Sequence, residues 1–85
     1  MNFSEALIEV KNGKKITREG WNGKDQFVYF VDANSYPAQT EIAKATFGET
    51  VPYSAYLVIK TVQNIAVPWI ASQGDLLAED WKIVE

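Results

Sequence analysis

Residues 27–31, Phe-Val-Tyr-Phe-Val, leave little freedom in how this chain folds. Every position is β-branched or aromatic, which is the composition of a strand. Successive side chains of a strand point to opposite faces, so Phe27, Tyr29 and Val31 share one face and Val28 and Phe30 the other. Both faces are apolar, and a sheet built around such a strand needs cover on both sides. With only 85 residues the chain makes one domain and has little material for two covers.

The first cover is legible near the start. Phe3, Ala6, Leu7 and Val10 recur at i, i+3, i+4 and i+7, one face of a helix over residues 3–11. Asn2 and Glu5 form a capping-box pair, Lys11 complements the helix dipole and Gly13 stops the helix. The second cover stays open between a second subunit and a ligand pocket with aromatic walls. For any single residue of the strand, ordinary core packing is the plainer reading. The composition, 47% hydrophobic and 13% aromatic, is rich for so short a chain and suits a small fold that gains stability by self-association.

A short segment over 14–18 centres on Ile16 and Thr17 and runs into Gly20-Trp21-Asn22-Gly23, a turn with glycine on both sides. Residues 32–39 are polar and read as a loop. Thr40 caps a short helix to Phe47, stopped by Gly48. Residues 52–61 read as one strand. Gln63-Asn64 makes a turn, and 65–69 pairs back as a hairpin partner. Ser72 with Asp75 opens a second capped helical turn through Leu76, Leu77 and Ala78, and Trp81, Ile83 and Val84 close the chain as a last strand. The expected fold is α+β: one antiparallel sheet of about four to five strands, an N-terminal helix and one or two short helices.

Several function classes are disfavoured. With no cysteine there is no disulfide framework and no thiolate metal site. With no histidine the commonest general base is missing. A net charge of -3 without a basic patch disfavours binding to a nucleic-acid polymer. The start of the chain is not a secretory signal, and no apolar run spans a bilayer. A soluble, cytosolic protein without a cofactor and without membrane contact is expected. Asp75, Glu79 and Asp80 match no metal-binding loop, and Ser72 has no motif that would activate it as a nucleophile.

Three groups of residues have the chemistry to bind a ligand. Trp21, in its glycine-flanked turn, is either a core plug or a stacking platform for a base, with Asn22 and Lys24 beside it as polar partners. Phe27 is a candidate aromatic wall. The stretch from Trp69 to Asp75 passes from a strand to a capped helix start, where free N–H groups favour phosphate. There Ser72 and Asp75 either cap the helix or meet ligand, and Asp80 is either a solvated carboxylate or an acceptor for ribose hydroxyls. Arg18 or Lys24, with backbone N–H groups near Ser72, would face a pyrophosphate, leaving the carboxylates to the hydroxyl or amine side.

Phe3-Ser4-Glu5-Ala6-Leu7 to Gly13-Lys14-Lys15-Ile16, then Arg18-Glu19-Gly20-Trp21-Asn22-Gly23-Lys24, then Val67-Pro68-Trp69 to Ser72-Gln73-Gly74-Asp75-Leu76-Leu77-Ala78-Glu79-Asp80-Trp81 resemble the phage Thoeris anti-defence proteins of the second type. The resemblance covers both ends and most of the chain; residues 32–52 match poorly, and Gly74 stands where a slightly larger residue is expected. It implies a sponge that binds a cyclic ADP-ribose-type immune signal in the host cytoplasm and holds it without cleaving it. It also implies a homo-oligomer, dimer or tetramer, with ligand pockets at subunit interfaces. Trp21 and Asn22 match the first motif; Trp69, Ser72, Asp75 and Asp80 match the second. The alternatives are a phage structural or interaction module and a hydrolase of the same nucleotide.

Overall fold

The computed structural model describes residues 1–21 and 25–85. Asn22 and Lys24, two of the expected ligand contacts, lie outside the described residues. The elements run α1 (Phe3–Lys11), β1 (Lys15–Arg18), β2 (Phe27–Val31), β3 (Asn34–Pro37), α2 (Glu41–Phe47), β4 (Thr50–Tyr53), β5 (Tyr56–Lys60), β6 (Ala66–Pro68), α3 (Gln73–Leu77) and β7 (Trp81–Val84). Five strands form an antiparallel sheet in the order β6-β5-β2-β1-β7, and β3 pairs with β4 in a separate two-stranded sheet. The chain is α+β, as its pattern predicts.

The expected strand 27–31 lies at the centre of the sheet. Its partners fix the faces: Val28 sits opposite Ile16 and Ile59, and Ile16 opposite Ile83. α1 packs on β1, β2 and β7 and lays Ala6 and Val10 against Ile16, Val28 and Trp81, all buried. The capping box is formed as read: Glu5 N donates to Asn2 Oδ1 at 2.9 Å and Asn2 N to Glu5 Oε1 at 3.0 Å.

The opposite face carries Phe27, Tyr29 and Val31, all half-buried, and Val58, buried between its cross-strand neighbours Tyr29 and Pro68. α2 packs not on this face but on β4. β3, α2 and β4 make an arm in which, among the described residues, only Val51 is buried. The molecule measures 44 × 26 × 25 Å with a radius of gyration of 15.1 Å, against about 12 Å for a compact chain of this length.

Two expectations are corrected here. Residues 34–37, read as loop, are strand β3; its polar sequence carries no alternation, and pairing with β4 and the edge contact of Tyr36 on Tyr53, 5.8 Å between ring centroids, define it. Residues 52–61, read as one strand, are β4 and β5, which belong to different sheets. No described helix is long and apolar enough to cross a membrane.

Candidate functional site

One end of the sheet gathers the residues that the sequence singles out. Arg18 ends β1, Trp21 follows in the turn, Trp69 follows β6, Ser72 and Asp75 open α3, and Asp80 leads into β7. The three tryptophans meet edge to face: Trp21 and Trp81 are 5.3 Å apart between ring centroids, Trp69 and Trp81 6.0 Å, and Trp21 and Trp69 6.5 Å. Phe3 of α1 completes the cluster, 5.5 Å from Trp81 and 6.1 Å from Trp69. Such pairs stabilise beyond the area they bury. Trp21 therefore packs against the core along one side and stays half exposed along the other.

A polar hub sits beside this cluster. Arg18 donates from Nε to Asp80 Oδ1 and from Nη1 to Asp75 Oδ1, each at 2.8 Å. Gly20 N donates to the second oxygen of Asp80 at 2.8 Å, and Trp21 Nε1 to Asp75 Oδ1 at 3.3 Å. Asp75 also closes the capping box of α3, accepting from Ser72 N at 3.2 Å while its own N–H donates to Ser72 Oγ at 3.1 Å. Its carbonyl accepts from Trp81 Nε1 at 2.9 Å. Asp75 thus joins β1, the tryptophan turn, α3 and β7.

The charges respond to this pairing. The Asp80 carboxyl is held below the usual carboxylate range by the Arg18 hydrogen bond, which outweighs desolvation, with the Gly20 N–H adding to it. Desolvation pushes the Asp75 carboxyl upward, but hydrogen bonds from Arg18, Ser72 and Trp21 together outweigh it and leave the group below its ordinary value. The Arg18 guanidinium is raised by its bonds to Asp80 and Asp75. Both carboxylates and the guanidinium are ionised and engaged with the chain itself.

The glycines around the hub differ. A Cβ at Gly20 would stand 2.9 Å from Asp80 Oδ2, so a side chain there displaces the carboxylate from Arg18. At Gly74 a Cβ would meet only Ser72 Oγ at 3.7 Å, an ordinary contact, and the backbone there has room for the larger residue that the motif leads one to expect.

Beside the hub a groove of about 550 Å³ runs over β1 and its neighbours, and its lining includes Lys15, Thr17, Arg18, Trp21, Phe27 and Lys82. Arg18, Trp21 and Phe27 were singled out by sequence; Lys15, Thr17 and Lys82 were not. The signal was present, because Lys15 and Thr17 alternate with Ile16 and so share the face of Phe27, but it needed the β1–β2 register. Trp69, Ser72, Asp75 and Asp80 are brought together behind this groove, and none is in its lining. Among the described residues no group of three acidic side chains converges as a cation site would require.

Residues 1–84 match the family model described as the Thoeris anti-defense 2-like domain. The chain is also similar to a curated protein of Bacillus phage SP01, "Thoeris anti-defense 2", at 34% identity over 84 residues, covering 99% of this chain and 94% of that one.

Proposed function

We propose a function from one premise: the chain belongs to the Thoeris anti-defense 2-like family. Membership supports an anti-defence role. The finer reading is that the protein is a sponge, which binds a cyclic ADP-ribose-type immune signal inside the host cell and holds it without cleaving it. The observation that carries the binding half is the groove beside Arg18, Trp21 and Phe27. Its volume, about 550 Å³, falls in the range of small-ligand sites, and its lining mixes aromatic rings with a few cations.

The hub suits a holding role better than a chemical one. Asp75 and Asp80 are ionised and already accept hydrogen bonds from Arg18 and from backbone or indole N–H groups. A general base needs to reach a substrate proton and to titrate near the working pH. These carboxylates are displaced the other way, and their work is to fix Arg18 and Trp21 at the groove's rim. Trp21 presents its half-exposed side to the ligand, and Trp69 and Ser72 act from behind as support.

The protein works as a homo-oligomer in this reading. The exposed arm is the surface that a second copy would cover. A module that binds another protein through the same arm is the competing reading.

The test uses purified protein and cyclic ADP-ribose isomers. Ligand that binds the native state alone raises the melting temperature by mass action. After incubation and heat denaturation, a sponge returns the ligand intact, whereas a new product in the supernatant means an enzyme. No thermal shift with any isomer would leave the interaction module as the better account.

A further inference from the structure

We infer that the open face of the five-stranded sheet takes a phosphate-bearing nucleotide at Phe27, with Lys15 and Lys60 as the phosphate partners. This rests on the sponge reading and gives its ligand a place. Lys15 Nζ stands 5.0 Å and Lys60 Nζ 5.8 Å from the centre of the Phe27 ring. The two lysines arrive from opposite sides, one on β1 and one on β5, where Lys60 is the direct cross-strand partner of Phe27. Among the described residues neither lysine is ion-paired to a carboxylate; Lys60 donates to the Asp25 carbonyl at 2.8 Å. Two ammonium groups brought to one half-buried aromatic ring form a pair of positive charges that, among the described residues, no carboxylate pairs.

Phosphate is the anion that fits. An ammonium over a ring is weakly held, and a charged hydrogen bond to a phosphate oxygen is the stronger contact. When the lysines turn to a phosphate, the face of Phe27 is freed for a base. Tyr29, 6.2 Å from Phe27 between centroids, extends the same floor. Lys82, whose Nζ is 3.8 Å from Glu19 Oε1 with both side chains more than half exposed, is loosely held and supplies a third cation on the β7 side. A polymer does not fit as well. Glu19, Asp25 and Glu85 also line the groove, so it offers no continuous basic track for a phosphate backbone. A single phosphate joined to a stacking base uses what the face provides.

The probe is adenosine monophosphate, titrated into the full-length ¹⁵N-labelled protein, alongside calorimetry with cyclic ADP-ribose isomers. The inference expects amide shifts centred on residues 15–17, 27–29 and 58–60. It also expects Lys15→Ala/Lys60→Ala to bind at least about tenfold more weakly, with an unchanged amide spectrum elsewhere, and Lys15→Arg/Lys60→Arg to restore binding. Shifts centred on the start of α3, or no shifts at millimolar nucleotide, overturn it. The two readings separate cleanly. If the protein binds the monophosphate at Phe27 but no cyclic ADP-ribose isomer, the sponge reading falls and this site stands. If it binds an isomer equally well with and without the two lysines, this site falls and the sponge reading stands.

Discussion

Asp75 is the residue on which the end of the sheet depends. Its carboxylate, 13% exposed, holds Arg18 and Trp21 and accepts from Ser72 N at the cap of α3. Asp75→Asn keeps the shape and removes the charge, so the expected loss is about 1–3 kcal/mol, as for other charge-assisted hydrogen bonds. Denaturant unfolding measures it, and a variant as stable as the parent would show that the hub contributes nothing. The pH dependence follows from the same bonds. Asp75 and Asp80 both have folded pKa values below the usual value of about 3.9. Their contribution is fully present above that unfolded value and is lost as pH falls through the folded values. Melting temperature should therefore drop below about pH 4, and the drop should be shallower in Asp75→Asn. A parallel pair of curves would remove Asp75 from the account. At this scale the sequence singled out Arg18, Asp75 and Asp80 as ligand candidates but left their pairing with one another open. Arg18 lies 57 positions from Asp75 and 62 from Asp80, and no local pattern says that a guanidinium will meet both carboxylates.

At the scale of elements the sequence was most legible where the signal is local. The capping pairs Asn2–Glu5 and Ser72–Asp75 and the Thr40 cap are all formed, because caps are built from residues three apart. Ser72→Ala removes the acceptor for Asp75 N at the start of α3. It should cost about 1 kcal/mol, read as a shift in the unfolding midpoint with an unchanged slope. A shift much above that would mean that losing the cap also loosens Asp75 from Arg18. Elements defined by pairing alone were harder to see. β3 is Asn-Ser-Tyr-Pro, a sequence with the composition of a turn, and it becomes a strand only because β4 lies beside it. β4 in turn was joined to β5 because Tyr53 and Tyr56 are both strand-forming residues. Ser54 and Ala55 separate them, and the chain changes sheets there.

The whole molecule has an arm that its own chain does not cover. α2 has seven residues and no buried side chain, and Ile42 and Phe47 are 81% and 54% exposed. A helix this short is marginal alone, and so is an isolated pair of strands. Both are nonetheless regular in the arm, with Tyr36, Tyr53 and Tyr56 also exposed. The apolar content, rich for 85 residues, is thus partly unburied in one copy. Association through the arm would bury it and would also steady the helix and the strand pair. The expectation is a light-scattering mass of at least twice 9.6 kDa at micromolar concentration. Ile42→Glu/Phe47→Glu should return the mass to that of one chain, because a carboxylate at each exposed apolar site is costly to bury in an interface and harmless in water. The hub and the core around Trp81 lie in the other part of the molecule, so the tryptophan fluorescence of the variant should remain that of the folded parent. A parent that runs as a single chain would leave the arm without this partner. A variant that keeps the oligomer would place the contact outside the arm.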